Sequence, residues 1–416
     1  MKAKKILQIA GPGLLYAGAA IGVSHLVQST RAGSMFNFDL LWILIFANLI
    51  KYPFFDYGTR YATVTGKSLI SGYQKVGKWA INLFTILTVF SMLIILSAVT
   101  IVTVGLFAYI FKVNISLSLL SGLLLFSSIL ILAIGKYTIL DKLMKFIIIL
   151  LSLSTIVAVV AALGIPKTIN PEFITHFSWS NKVHLFFLIA FVGWMPAPID
   201  VSVWTSIWNI EKSNELGYMP NLKTTLAEFR FGYIGTALLA IGFLSLGALI
   251  MYGTGEQLSS SGTIFSKQLI SLYTKSIGRW SFWIISIAAF TTMLSTTLTV
   301  LDAYARVMTK LTGVYFPKSK PAKANYLNIF WLIVLFAGSW VIISFFVGNM
   351  REMVDIATTL SFVFSPALAW INYRAVTDKH FPEKYRPGLF LRILSWTGII
   401  FFTAFTVVYI IWRFFI

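Results

Sequence analysis

Two stretches decide the fold: GPGLLYAGAAIGVSHLVQSTRAG, residues 11–33, and FVGWMPAPIDVSVW, residues 191–204. Each is an apolar run of membrane-helix character interrupted near its middle. In the first, Gly18, Gly22 and Ser24 surround His25; in the second, Pro196 and Pro198 bracket Ala197. A proline removes a backbone donor and clashes with the preceding turn, so two of them spaced by one residue predict local unwinding. Non-helical backbone at membrane depth persists only where it lines a cavity or is buried in protein.

The rest of the chain is read outward from these two runs. Of its 416 residues 58% are hydrophobic and 11% charged, and the mean hydropathy is +0.83, far above a soluble domain of this length. A bilayer core about 30 Å thick needs roughly 20 apolar residues per helix, and such runs recur near 12–33, 38–64, 80–110, 115–135, 140–164, 184–208, 229–252, 279–305, 326–347, 353–373 and 390–413. A β-barrel would alternate apolar and polar residues; Phe146 to Leu163 is apolar on nearly every face. The expected fold class is therefore an all-α membrane protein of about eleven transmembrane helices, forming one domain over 1–416 with no room for a separate soluble unit.

The interrupted runs are the first and the sixth. Paired broken helices at matching positions point to a transporter of inverted repeats with its site at the bilayer midplane. The repeats are expected over about 10–165 and 183–375, with an extra helix over about 388–415. The plainer reading is that glycines pack membrane helices and prolines kink them; it applies to either break alone and less well to the two together.

The formal charge of +19 raises nucleic acid as a partner, but the basic residues sort by membrane side. With the N-terminus (Lys2, Lys4, Lys5) in the cytoplasm, twenty-three of the 33 Lys and Arg residues fall on that side and nine on the other, with Lys51 inside a span. The positive-inside rule then places the N-terminus in the cytoplasm and the C-terminus outside, in the plasma (inner) membrane. The first run lacks a small-residue cleavage site, so a true first span is expected rather than a signal peptide. The absence of cysteine excludes disulfides and thiolate chemistry. No GxxxxGK[ST] loop occurs, so ATP does not drive the protein directly. His176, His184 and His380 lie at span ends or in loops and form no paired motif of an embedded metallohydrolase. No cofactor and no enzymatic activity are expected. Trp79, Trp179, Trp280 and Trp412 near span ends read as an interfacial belt toward membrane lipid.

The sequence from GPGLLYAG at Gly11 through STRAGSMF and DLLWILIFANL to Gly66, and again at Met195-Pro196, resembles the NRAMP family of divalent-metal transporters, which share the LeuT-type fold. The resemblance implies a secondary transporter working by alternating access. It also implies ligand positions. The family's Asp-Pro-Gly-Asn in the first break aligns with Gly22, Val23, Ser24 and His25, and its Met-Pro-His in the sixth with Met195, Pro196 and Ala197. The carboxylate and the histidine are thus replaced, His25 and Met195 remain as candidate metal ligands, and the acidic residues the family carries along span three are missing from Trp79 to Ile110. A divalent ion stripped of water needs anionic or strongly dipolar ligands, so the alternatives stay open: a metal bound in an altered or hydrated manner, a non-metal anionic or zwitterionic solute, or a non-transporting sensor or scaffold.

Several polar residues in spans carry their own expectations. Lys51, followed by Tyr52, Pro53 and Asp56, is at a depth where a charge faces a partner or water; it either serves a substrate or pairs with Asp56 or Asp200. Asp200 opens the second half of span six, where a carboxylate suits the helix dipole, and Asp302 is one turn from Arg306. His25 reads as ligand, proton carrier or hydrogen-bonded break residue. Ser295, Thr296 and Thr297 either help hold sodium or bond back to their own helix. Substrate contact is expected at Gly22, Val23, Ser24, His25, Met195, Pro196, Ala197, Pro198 and Asp200, and coupling or ion pairing at Lys51, Asp56, Ser295 and Thr296.

Overall fold

In the computed structural model, residues 12–133, 137–166, 169–317 and 323–415 are described; Gly11 and Lys2, Lys4, Lys5, Lys136, Lys167, Lys318 and Lys320 lie outside them. Among the described residues there are fifteen helices and no strand. They are α1 (Pro12–Ala20), continued by a π-helical turn (Ser24–Ser29) into α2 (Thr30–Phe36), then α3 (Leu41–Thr65), α4 (Leu69–Val76), α5 (Lys78–Phe111), α6 (Leu117–Ala133), α7 (Tyr137–Ala162), α8 (Lys182–Trp194), α9 (Val201–Leu216), α10 (Leu222–Ile250), α11 (Gly262–Ile277), α12 (Phe282–Tyr315), α13 (Lys323–Phe346), α14 (Met350–Thr377) and α15 (Leu389–Phe414).

Each of the eleven expected spans maps onto this series. Span one is α1 with its π turn and α2, span six is α8 with α9, and both are interrupted where glycine and proline predict it. Among the described residues six helices are long and apolar enough to cross a membrane by themselves, the segments 78–111, 222–250, 279–315, 325–346, 350–377 and 389–414. Span two falls short of that criterion because Lys51, Asp56 and Arg60 are carried inside α3, where all three are buried. The outward faces are apolar: Phe90, Val160, Phe231, Leu238 and Ile400 are all more than half exposed, a surface that only lipid satisfies.

Two helices were not anticipated. α4 and α11 are too short and too amphipathic to span. α11 buries Phe265, Leu269, Ile270 and Tyr273 and leaves Lys267 and Lys275 on its other side, the three-and-four spacing of a helix lying against the bundle.

Span one is held tightly to α10. A Cβ on Gly33 would fall 1.9 Å from the Leu244 carbonyl oxygen, and one on Gly247 would fall 2.2 Å from that of Thr30, so backbone meets backbone here and only glycine fits. Span six meets α14 in the same way, with a Cβ on Gly193 falling 2.0 Å from the Thr358 carbonyl oxygen. At helix starts, Asn181, Asn221 and Asn349 accept backbone N–H bonds through their side chains, satisfying donors that the first turn leaves open.

Candidate functional site

Unwinding a helix exposes carbonyls that must find donors, and each break finds them in a neighbouring span. At the first break the Thr296 hydroxyl of α12 sits 3.0 Å from the carbonyl oxygens of Gly18 and Ile21 and 3.1 Å from that of Thr292, donating among them. At the sixth break, which contains a cis Met195–Pro196 peptide, Lys51 Nζ donates to the carbonyls of Val192, Gly193 and Ala197 at 2.7, 2.8 and 3.1 Å. Lys51 is 0% exposed. Three ammonium hydrogens meet three carbonyls at the C-terminal end of α8, where the helix dipole also favours a cation.

These contacts revise the expected ion pairs. Asp56 pairs with Arg60, Oδ1 to Nε 2.7 Å, and Arg60 also reaches the Tyr385 carbonyl. Asp200 accepts from the Tyr304 hydroxyl through Oδ2 at 2.8 Å. Neither carboxylate hydrogen-bonds Lys51. Asp302 pairs with Arg306 at 2.7 Å, one helical turn along α12.

His25 is fully buried and both of its ring nitrogens are engaged, Nδ1 with Ser24 Oγ at 2.7 Å and Nε2 with the Thr236 carbonyl of α10 at 2.9 Å. The ring therefore faces α10, away from span six. Met195 is likewise 0% exposed, and neither residue lines a cavity described for the molecule. Among the described residues no group of three or more His, Asp or Glu side chains is placed to hold a metal ion.

The two breaks do come together. A cavity of about 20 Å³ lies between them, lined by Ala20, Val23, Ser24, Ala197, Pro198, Trp204 and Thr296 with Ile95 and Val99 of α5 behind. Its only polar side chains are the Ser24 and Thr296 hydroxyls and the Trp194 and Trp204 indoles. Gly22 is buried beside it, and a Cβ there would approach Thr296 Oγ1 to 2.8 Å. Ser295 is buried on α12 and its carbonyl accepts from Thr299. Pro196 is buried within the break.

Separate from this cavity, and sharing no lining residue with it, is a vestibule of about 1150 Å³. It lies among the end of span one, the loops at 169–181 and 251–261, the start of α14 and the end of α15, with Glu256, Glu352 and Arg413 on its wall. At its border with the protein interior Arg31 makes a two-pronged contact with Asp355, Nη1 to Oδ1 at 2.5 Å and Nη2 to Oδ2 at 3.1 Å. Gln28 joins both partners, accepting from Arg31 and donating to Asp355. Sequence reasoning did not single out Arg31, Gln28 or Asp355. The signal was present for Asp355, an acid inside the expected span 353–373, which by depth alone marks a residue with a partner.

Comparison with known proteins places this geometry. Residues 13–412 match the Nramp family, described as natural resistance-associated macrophage protein-like. An uncharacterized protein of Pasteurella multocida (strain Pm70) is 36% identical over 405 residues, 96% of this chain and 91% of its own. Among solved structures, the Eremococcus coleocola manganese transporter in complex with an aromatic bis-isothiourea substituted compound superimposes with a TM-score of 0.69 at 12% identity, covering 98% of this chain and 87% of its own. MhsT in complex with L-phenylalanine does so with a TM-score of 0.62 at 14% identity, covering 95% and 97%. At these identities the two structures establish the fold, which is the LeuT-type arrangement.

Proposed function

The chain belongs to the Nramp family, and from that premise we propose that it moves a metal ion by alternating access around the cavity between its two broken spans. It is an integral membrane protein and, by family, a metal-ion transporter. The observation that carries the finer reading is the convergence of both breaks on one small cavity, with a much larger vestibule whose wall carries the Arg31–Asp355 pair at the far end of span one. The division into repeats over about 10–165 and 183–375 plus a last helix belongs to this proposal, as do the candidate substrate contacts at Val23, Ser24, Ala197 and Pro198. So does the orientation, in which the vestibule faces outside because the lysine-rich loops lie on the opposite side.

The lining dictates how the ion is handled. With no carboxylate in the central cavity, a fully dehydrated divalent ion there has its charge uncompensated in a low-dielectric site. The ion therefore keeps part of its water and is held by hydroxyl and backbone oxygens once the breaks part, since at about 20 Å³ the cavity has room for roughly one water-sized particle. The buried Lys51 supports a metal cargo over an anionic solute, since its three hydrogens already lie on carbonyls and it presents none to a substrate. Mn²⁺, the ion in the name of the structural neighbour, is the first to test. Purified protein in liposomes is expected to give saturable uptake of Mn²⁺ or another divalent ion above protein-free liposomes; uptake of none of them across a divalent panel overturns the reading.

A further inference from the structure

Beside the carbonyls that Thr296 and Lys51 engage, the broken region carries one carboxylate. Asp200 is 7% exposed. Its Oδ2 accepts from Tyr304; its buried Oδ1 makes no hydrogen bond of good geometry, with the backbone N–H groups of Asp200 and Val201 the further donors beside the carboxylate. An unpaired buried carboxylate oxygen costs enough that it calls for an explanation.

Asp200 borders a second cavity, of about 10 Å³, lined also by Thr88 and Ser91 of α5, Pro198, and Ser361 of α14, with Leu87, Ile95, Phe364 and Leu368 closing it. This is near the lower limit for one water-sized particle. The cavity shares Pro198 and Ile95 with the central one and so adjoins the proposed transport path. Its polar lining is of a single kind. The Thr88 hydroxyl donates to the Phe84 carbonyl at 2.8 Å, that of Ser91 to the Thr88 carbonyl at 3.3 Å, and that of Ser361 to the Ala357 carbonyl at 2.9 Å. The Thr88 and Ser361 hydrogens are directed at their own helices, which leaves their oxygen lone pairs for the cavity, while the Ser91 hydroxyl is shared between its own helix and Tyr304. Ser361 Oγ also accepts from Trp194 Nε1 at 2.7 Å and retains one lone pair.

We propose that this cavity, formed by Asp200, Thr88, Ser91 and Ser361 where α5, α14 and the sixth break meet, is a binding site for one sodium ion. A carboxylate oxygen with neutral oxygens around it is a hard-cation ligand set. The charged and titratable groups facing Asp200 are Lys51 of α3, Tyr304 of α12 and Tyr73 of α4. Lys51 and Asp200 together are neutral, so a monovalent ion adds one charge to the region and a divalent ion adds two, which selects against the latter in a dry site. The site lies away from the α12 hydroxyls at 295–297, where Thr296 is engaged with the first break. The inference does not depend on which ion the protein transports.

The test is equilibrium binding without transport. Protein in nanodiscs, in choline buffer with EDTA at constant ionic strength, is titrated with ²²Na⁺ and followed in parallel by tryptophan emission, because Trp194 is bonded to Ser361. Saturable binding near one ion per chain is expected. Asp200→Asn is expected to weaken it by about tenfold or more, since the only anionic ligand is lost, and Thr88→Val and Ser361→Ala to weaken it several-fold. Melting in choline buffer reports whether each variant is folded; if Asp200→Asn is not, the two hydroxyl variants decide. No saturable ²²Na⁺ binding by the unmodified protein overturns the proposal, and so does binding that all folded variants retain. Emission that changes with pH identically in sodium and choline, without ²²Na⁺ binding, assigns the site to a proton and also overturns it. Failure of Mn²⁺ uptake leaves this result untouched, so the two readings fail separately.

Discussion

The Lys51 ammonium reaches from the middle of span two to the Ala197 carbonyl in the break of span six, at 3.1 Å. With Val192 and Gly193 as its other acceptors, it ends the first half of span six as a capping group. Lys51→Met removes the donor and leaves the Gly193 and Ala197 carbonyls open, Val192 keeping the Met195 N–H, at about 1–3 kcal/mol for each that water does not reach. The expected outcome is a large fall in melting temperature in detergent, not rescued by Asp56→Asn because Asp56 belongs to Arg60. A variant that melts like the unmodified protein but transports nothing assigns Lys51 to the substrate instead.

His25 is expected to matter for stability and not for metal affinity. Its ring bridges Ser24 and Thr236, so His25→Ala loses two buried bonds, about 1–3 kcal/mol, measured by denaturant melting. The Mn²⁺ concentration dependence of uptake is expected to stay unchanged in whatever fraction remains folded. A strong rise in the half-saturating Mn²⁺ concentration with unaltered melting returns His25 to the ligand set.

The Arg31–Asp355 contact is expected to act as a barrier between vestibule and cavity. The chain has no cysteine, so a single Ser24→Cys can be labelled without background. With the pair intact, a membrane-impermeant thiol reagent is expected to react slowly with it; adding Asp355→Ala is expected to speed labelling several-fold. Equal rates in both backgrounds show that the pair does not close the path.

Mn²⁺ is expected to bind the unmodified protein far more weakly than it binds a site with a carboxylate at the first break. Gly22→Asp is a poor control because the new side chain meets Thr296 Oγ1 at its first atom. Ser24 lines the cavity, so Ser24→Asp is the better gain-of-function variant, with an expected tightening of about tenfold or more by calorimetry. Tight, anhydrous Mn²⁺ between the breaks of the unmodified protein, seen by anomalous scattering, contradicts this.

For orientation, a cysteine at Lys267 is expected to react only from outside and one at Lys212 only from the cytoplasm; the reverse pattern inverts the topology. Lys320, an equally good position by charge, lies outside the described residues.

The architecture was legible because length and hydropathy fix spans, and because Pro196, Pro198 and Gly22 mark their breaks by steric rules that need no tertiary information. The short helices α4 and α11 were missed for the converse reason. Leu69, Ile70 and Tyr73 pack inward without making an apolar run long enough to register. The Asp56–Arg60 pair was readable, being four apart on one face, whereas Lys51 and Asp56 are five apart, about 140° around the helix, which argues against the pairing considered for them. The direction of the His25 ring was not readable. It depends on α10 lying backbone to backbone against span one, a contact set by Gly33 and Gly247 over two hundred residues apart in the chain.

The two capping donors have unequal mechanical consequences. Lys51 fastens span six to span two, and Thr296 fastens span one to α12. Motion that carries spans two and six together leaves the lysine contacts intact, while separation of span one from α12 must rupture the threonine contacts and return the Gly18 and Ile21 carbonyls to water or to cargo. One break is thus stapled and the other is latched. The activation barrier for any stroke that parts span one from α12 therefore includes Thr296 letting go, so the rate of turnover is written partly in a single hydroxyl.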